Sequence, residues 1–357
     1  MKNLLITGGA GFVGSNLALK FKQKYPDLGI YCLDNLKRRG SELNIPRLKN
    51  AGIAFIHGDI RSKEDLNLTG IDTVIECSAE PSVLAGVGGS PEYVLNTNLV
   101  GTLNCLEFAR RSNAKFIFIS TSRVYPYDLL NNAKIEEAAT RFEFSDKQDL
   151  VGISKKGSSE ELSLSGPRTL YGSTKLASEL FITEYIATYG LTAVINRFGC
   201  IAGPWQMGKV DQGVMALWVS RHVYKKNLKY IGFGGAGKQV RDFIHIDDVF
   251  DVLDLQISQL KDSSSKINGE IFNIGGGYEN SISLQELTKI CQEITGNTVE
   301  ITSDSVDRPA DLKIYISDNT KVQKILNWKP KKTVRNIAED TAKWIEDNKD
   351  LLVNILE

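Results

Sequence analysis

The chain has 357 residues, of which 42% are hydrophobic and 24% charged, as is typical of a globular protein with an ample core. Lys plus Arg and Asp plus Glu both number 43, so the net charge is zero and favours neither nucleic acid nor an anionic membrane as a partner. No apolar run approaches the ~20 residues that a membrane-spanning helix needs, and no signal peptide is visible. The five cysteines and three histidines lack metal-ligand spacing. We therefore expect a cytoplasmic protein with free thiols and no metal.

The start of the chain reads as a buried strand, a glycine turn and a helix. Residues 4–6 are apolar, residues 7–14 read TGGAGFVG, and residues 15–21 have helical spacing. Gly8 permits a tight turn, Gly11 lets the backbone approach a pyrophosphate, and Gly14 lets the helix pack close to the strand. The helix N-terminus offers unpaired N–H groups to phosphate. The turn, including Phe12 and Val13, therefore predicts a dinucleotide site.

The second predicted strand ends at Asp34, which lies 20 residues after Gly14. A carboxylate at this place can accept the ribose hydroxyls of the cofactor and would repel a 2′-phosphate, which favours NAD over NADP. Arg38 and Arg39 complicate this prediction, because nearby arginines can hold that phosphate. Asp59, after the third strand, is placed to bind an adenine amino group or, alternatively, to cap a helix.

The apolar segments continue in alternation with helices. After the first strand at 4–6, strands are predicted at 29–33, 53–56, 73–77, 115–119 and 192–196, and a long helix at 91–111. This pattern predicts an α/β fold with a Rossmann-type, doubly wound parallel sheet. We predict an NAD-binding domain over 1–199 and a smaller, mixed α/β C-terminal substrate lobe over 200–357, with the chain crossing between them. A polar excursion at 126–168 interrupts the first domain and predicts a functional loop or lid.

Tyr171 and Lys175 are four residues apart on one predicted helix and therefore share a face. A phenol has a pKa near ~10, but a lysine ammonium beside it stabilises the phenolate and lowers that pKa. Next to NAD, the pair could deprotonate a substrate hydroxyl, which Thr121 at the end of the fifth strand could also hydrogen-bond. The alternative is an ordinary tyrosine at a helix start with a surface lysine; the preceding strands and glycine turn favour catalysis.

With these segments, the chain resembles the extended short-chain dehydrogenase/reductase family, specifically its NAD-dependent nucleotide-sugar epimerases and dehydratases. The resemblance rests on residues 7–14, 34–35, 59, 98–102, 120–121, 171–175, 203–204, 241–242 and 308. It implies that the sheet binds NAD, which is retained through turnover, and that the C-terminal lobe binds a nucleotide diphosphate sugar. It also implies further cofactor-binding positions, namely Asn35, Arg38, Asp59, Ile60, Ala79, Asn98, Ser120, Tyr171 and Lys175.

On the substrate side, the resemblance implies that Arg241 and Arg308 contact the diphosphate or the nucleotide ribose, which suits an arginine fork. The family's 4,6-dehydratases carry an Asp-Glu pair directly after the catalytic threonine, whereas this chain has Ser122 and Arg123, so dehydration is disfavoured. Arg123 could instead contact the sugar. The UDP-galactose-type 4-epimerases carry an asparagine where this chain has Cys200.

The segments 206–213 and 237–242, and the excursion around 140–142, are similar to those of the CDP-paratose (CDP-tyvelose) 2-epimerase branch. The preferred prediction is therefore an NAD-dependent epimerase that inverts C2 of a CDP-hexose, with Cys200, Gln206 and Gln212 lining the sugar site. A UDP-hexose 4-epimerase is the alternative, and a non-catalytic NAD-binding protein is a more distant one. The helices at 91–111 and 172–189 are apolar around much of their circumference, which predicts a homodimer or homotetramer.

Overall fold

The computed structural model describes residues 1–208 and 213–356. Gln212, a predicted substrate residue, lies outside the described residues. The chain folds into two compact units, each assembled from three separate segments. Unit 1 contains Met1–Thr121, Leu170–Arg197 and Phe250–Phe272, and unit 2 contains Ser122–Thr169, Phe198–Val249 and Asn273–Glu357.

The described strands are short. In chain order they are β1 (Asn3–Thr7), β2 (Gly29–Asp34), β3 (Ala54–His57), β4 (Thr73–Glu76), β5 (Lys115–Thr121), β6 (Ile135–Glu137), β7 (Phe142–Phe144), β8 (Ile153–Ser154), β9 (Gly157–Ser158), β10 (Ala193–Phe198), β11 (Cys200–Ala202), β12 (Leu228–Ile231), β13 (Val240–His245), β14 (Ile271–Ile274), β15 (Ser281–Ser283), β16 (Ile301–Asp304) and β17 (Ile314–Tyr315).

The α-helices vary from four to 20 residues. In chain order they are α1 (Phe12–Lys24), α2 (Asn44–Asn50), α3 (Glu92–Leu95), α4 (Gly101–Ser112), α5 (Tyr127–Asn131), α6 (Leu170–Tyr189), α7 (Val214–Val223), α8 (Ile246–Gln259), α9 (Leu284–Thr295), α10 (Thr320–Leu326), α11 (Val334–Asp347) and α12 (Lys349–Leu356).

Unit 1 is built on a seven-stranded sheet in the order β14-β10-β5-β4-β1-β2-β3. The pairs of β1 with β2 and β4, of β2 with β3 and of β4 with β5 are all parallel. The strand order reverses at β1, which is the topology of a doubly wound α/β sheet. The predicted Rossmann-type fold is therefore confirmed. The sequence pattern missed β14, which returns to this sheet from a distant part of the chain.

The predicted helix at 91–111 is in fact three pieces. A π-helical turn, Asn96–Val100, separates α3 from α4. Thr97 and Asn98 lie buried within that turn. A π turn shifts the phase of the helix by inserting a residue, and apolar spacing averaged over 20 residues cannot detect such a local insertion.

Unit 2 contains a sheet in the order β11-β13-β15, with β17 also paired to β13. The excursion at 126–168 is largely structured, because it holds α5 and the two hairpins β6–β7 and β8–β9. Arg141 donates to the Ser281 carbonyl oxygen at 3.2 Å, and the Ser158 amide donates to the Ile316 carbonyl oxygen at 2.8 Å. The excursion thus folds with unit 2, whereas the predicted boundary counts it with the first domain. Its functional role stays a prediction.

Candidate active site

The glycine turn between β1 and α1 leaves no room for a side chain at Gly8 or Gly14. Gly8 has a φ of +63°, and a Cβ atom on Gly14 would lie 2.3 Å from the Gly8 carbonyl oxygen. Helix α1 begins directly after Gly11, without a side-chain cap and without an acidic residue in its first turn. Its first N–H groups and positive dipole end are therefore suited to a phosphate. The predicted positions from Gly8 to Gly14 form one compact cradle that fits a dinucleotide pyrophosphate.

Asp34, at the end of β2, is bonded to the same turn. Its carboxylate accepts hydrogen bonds from the Ala10 amide at 3.0 Å and from the Leu36 amide at 2.8 Å. Burial raises the pKa of the Asp34 carboxyl, and these amides act in the opposite direction. Asn44 also fixes the turn, because its side-chain amide donates to the Ala10 carbonyl oxygen at 2.8 Å. Arg38 lies half-buried in the segment after β2.

Asn35 and Asp59 are brought together, since the Asn35 amide donates to the Asp59 carboxylate at 2.9 Å. Arg61 binds that carboxylate at 2.6 Å, and this hydrogen bond is the main reason why the pKa of Asp59 is lowered to about 2. The carboxylate is therefore ionised and already paired. Ile60, the next residue, is buried in the apolar core of unit 1.

Asn98 supports the segment that follows β4. Its side chain accepts from the Glu80 amide at 2.7 Å and donates to the Glu80 carbonyl oxygen at 3.1 Å. Ala79, half-buried, precedes Glu80 in this segment. The Ser178 hydroxyl of α6 donates to the Asn98 carbonyl oxygen at 3.1 Å. Asn98 thus joins the β4 end, the π turn and α6.

The predicted catalytic side chains differ in environment. Tyr171 is half-buried at the start of α6, and its phenol makes no hydrogen bond within residues 1–208 and 213–356. Thr121 is buried at the end of β5. Lys175 is only 2% exposed, and its Nζ lies 3.4 Å from Glu76 Oε2 and 4.3 Å from the Phe118 ring centroid. The half-buried Tyr171 phenol and the buried Lys175 amine therefore share one helix of unit 1.

Ser120 belongs to a buried polar network beside this site. Its hydroxyl donates to Glu179 Oε1 at 2.5 Å, and Glu179 is paired with Arg197 of β10 at 2.7 Å. Both members of the ion pair are almost fully buried. The network joins β5, α6 and β10, and so it holds the helix that carries Tyr171 in register with the sheet.

The arginines predicted to bind the substrate lie around one loop of unit 2. Arg241 binds Asp311 at 2.8 Å, and Arg123 donates to the Ala310 carbonyl oxygen at 3.2 Å. Arg308, half-buried, lies in the same loop as Ala310 and Asp311. The arrangement fixes the loop and concentrates guanidinium groups, which can bind a diphosphate.

Cys200 and Gln206 lie close in the chain of unit 2. Burial raises the pKa of the Cys200 thiol to about 11, and Arg241 acts in the opposite direction. The thiol therefore stays protonated near neutral pH. The Gln206 amide nitrogen donates to the Ile201 carbonyl oxygen at 2.9 Å, while Oε1 is buried without a partner among the described residues.

Sequence reasoning missed Glu76 and Glu179. Glu76 ends a strand in which all four residues are buried, and an acidic residue ending an apolar run is a signal that could have been noticed. In the described part of the chain, no group of three or more His, Cys, Asp or Glu side chains could hold a metal ion. The helices of that part include none long and apolar enough to cross a membrane.

Comparison with known proteins gives consistent matches. Residues 4–275 match the model of the NAD dependent epimerase/dehydratase family. CDP-paratose 2-epimerase of Salmonella typhi is 32% identical over 350 residues, which cover 96% of this chain and 98% of the relative. A putative UDP-glucose 4-epimerase of Methanocaldococcus jannaschii is 28% identical, with coverage of 97% and 99%.

A solved structure has a similar fold. UDP-glucuronic acid 4-epimerase from Bacillus cereus, in complex with UDP-glucuronic acid and NAD, superposes with a TM-score of 0.76. The two chains are 25% identical, and the match covers 97% of this chain and 99% of that one.

Proposed function

Because the chain belongs to the NAD dependent epimerase/dehydratase family, we propose that it is a nucleotide-sugar epimerase that uses NAD and inverts C2 of a CDP-hexose. One observation carries the proposal that it is an active enzyme. The Tyr171 phenol is unpartnered among the described residues, one helical turn from the buried ammonium of Lys175. The similarity to a CDP-paratose 2-epimerase supports the choice of C2 and of CDP.

In this proposal, the glycine turn and the uncapped start of α1 hold the cofactor's pyrophosphate, and Asp34 fixes the turn beside the ribose. NAD, when bound, would supply the group that accepts and donates the hydride. Tyr171, as phenolate, removes the proton from the sugar hydroxyl and gives it back at the end of the cycle. Lys175 stabilises the phenolate, and Thr121 orients the hydroxyl. Unit 2 binds the diphosphate through Arg241 and Arg308.

The second candidate is a UDP-hexose 4-epimerase, supported by the similarity to the Methanocaldococcus jannaschii protein and the Bacillus cereus structure. Cys200 argues against it, because a thiol replaces the asparagine of UDP-galactose-type enzymes and one hydrogen bond to the sugar is lost. An unpaired buried polar group typically costs ~1–3 kcal/mol, which is enough to change the preferred orientation of a sugar. Gln206 Oε1 is a replacement acceptor from another direction.

The test uses deuterium at single carbons. The protein is incubated with CDP-, UDP-, GDP- and dTDP-hexoses, and NMR identifies any epimer formed. For the accepted substrate, we expect a primary isotope effect with deuterium at C2 and none with deuterium at C4. The opposite result would move the protein to the 4-epimerase class, and the absence of any epimer with all four nucleotides would count against an epimerase.

A further inference from the structure

Glu76 and Lys175 form an ion pair that is closed to solvent. Glu76 is the last residue of β4 and is fully buried, and Lys175 of α6 is 2% exposed. Their nearest charged atoms, Glu76 Oε2 and Lys175 Nζ, are 3.4 Å apart. The second carboxylate oxygen, Oε1, has no hydrogen-bond partner among the described residues. The carboxylate is therefore held mainly by one cation, and the Ser78 backbone amide acts in the same direction.

The other groups around the pair are neutral. The Thr7 hydroxyl of β1 faces the carboxyl and acts to lower its pKa, and the Phe118 ring of β5 lies under the ammonium. The nearby titratable groups are the thiols of Cys77, Cys105 on α4 and Cys32 on β2. Burial raises the pKa of each thiol far above neutral pH. Glu76 and Lys175 thus form the ion pair of this cluster.

Stability alone does not account for this ion pair. The desolvation of two buried charges can cost more than their attraction returns, and replacing a whole buried pair by apolar side chains of similar volume is often neutral or stabilising. Burial raises the pKa of the Glu76 carboxyl, while the Lys175 ammonium opposes the rise. The ion pair therefore has an electrostatic effect on its surroundings that an apolar residue would not have. Tyr171 lies within reach of this effect, because it is on the same helix face as Lys175.

We propose that Glu76 is a positioning residue that holds the Lys175 ammonium by a buried ion pair and moderates the effect of that ammonium on Tyr171. The inference rests on the proposed role of Lys175. A carboxylate beside the ammonium cancels part of its field, so the phenolate gains less than it would from an isolated cation. Glu76 thereby sets the pH at which Tyr171 becomes a base.

The decisive variant is Glu76→Gln, which keeps the shape and one acceptor oxygen but removes the negative charge. We expect the amide oxygen and the Phe118 ring to keep their contacts with Lys175 Nζ, so that Lys175 acts on Tyr171 without the opposing carboxylate. The tyrosinate absorbance of each protein is measured as a function of pH, and the curve of the same protein carrying Tyr171→Phe is subtracted. The difference gives the pH at which Tyr171 is half ionised, its midpoint. We expect this midpoint to fall by about one pH unit in Glu76→Gln. The acid side of the plot of kcat against pH should move to lower pH by the same amount, while KM stays unchanged.

Two comparisons make the result specific. Asp254→Asn also removes a carboxylate paired with a lysine in unit 1, because Asp254 Oδ2 lies 2.5 Å from Lys24 Nζ, and it should leave the Tyr171 midpoint unchanged. In a Lys175→Met background, Glu76 lacks its cation and we expect it to be protonated. Adding Glu76→Gln to that background should therefore cause no further shift of the Tyr171 midpoint.

The spectroscopic titration needs no substrate, so it separates this inference from the proposed function. An unchanged midpoint in Glu76→Gln would overturn the inference, because it would mean that Glu76 is neutral or does not reach Tyr171. A raised midpoint would also overturn it, because Glu76 would then be needed to keep Lys175 charged. If no sugar is epimerised but the midpoint falls as expected, the proposed function fails and the role of Glu76 stands.

Discussion

Tyr171 is the residue on which the proposed chemistry depends most directly. Replacing it by Phe removes the phenol oxygen and keeps the ring. We expect turnover to fall by at least ~10²-fold, the low end of what a general base contributes, because no other described group has been assigned this proton transfer. Turnover is measured by NMR of the sugar product.

The same Tyr171→Phe protein should still retain NAD, since the glycine turn and Asp34 are unaltered. Reverse-phase analysis of the denatured protein measures the cofactor. Near-wild-type turnover in this variant would refute the assignment of Tyr171, whereas a joint loss of turnover and cofactor would point to a binding role.

Several residues predicted to touch ligands have structural partners as well. Asp34 accepts two backbone amides, Asn98 is bonded on both sides to Glu80, and Asp59 is bound by Arg61. Their positions after strands were predictable from the pattern of the sheet. The Leu36 and Arg61 partners lie only two residues along the chain from the carboxylates that they bind. The Ala10 and Glu80 partners come from other segments of the chain, which no local pattern reports.

At the scale of elements, the β1–turn–α1 unit is the most tightly constrained. Gly14→Ala would place a Cβ atom 2.3 Å from the Gly8 carbonyl oxygen, so the turn or the helix must shift. We expect a loss of bound NAD and a destabilisation of about 1–3 kcal/mol, as for overpacking. Cofactor content and urea unfolding measure the two effects.

Gly89→Ala is the matched control for Gly14→Ala, because a Cβ atom there meets no atom within 4 Å and the φ angle is not positive. It should change neither cofactor content nor stability by a measurable amount. If Gly14→Ala retained a full complement of NAD, the turn would not be the pyrophosphate site.

The long helices show where local patterns succeed and fail. The predicted helix beginning near Tyr171 matches α6 closely, since the segment from Tyr171 to Tyr189 contains no proline and its apolar residues recur at helical spacing. The predicted helix at 91–111 contains a π turn around Asn98 instead. That turn is stabilised by tertiary contacts, including the hydrogen bond from Ser178.

At the scale of the whole molecule, apolar side chains of unit 1 remain exposed. Leu180 and Phe181 of α6 are 63% and 43% exposed, and Leu95 of α3 and Val100 of the π turn are also exposed. Clustered apolar exposure is rare in monomers, so we predict a homo-oligomer in which these helices pair about a two-fold axis. Light scattering at micromolar concentration should give at least a dimeric mass.

The double substitution Leu180→Glu and Phe181→Glu should yield a folded monomer, because charges on this face oppose association. Val151→Glu in unit 2 is the control: Val151 is 74% exposed, and its replacement should leave the oligomer intact. A monomeric wild-type protein would contradict the prediction.

The sequence by itself determined the class of fold and the candidate chemistry. Apolar runs, the glycine turn, and the spacing of Tyr171 and Lys175 are local features. Backbone sterics and helical periodicity relate such features directly to strands, turns and helix faces, so the sequence alone is enough to predict them. Only the tertiary structure decided that Lys175 is buried against Glu76, that the excursion folds with unit 2, and that β14 completes the sheet. These depend on contacts between residues distant in the chain, which arise only when the whole core is packed.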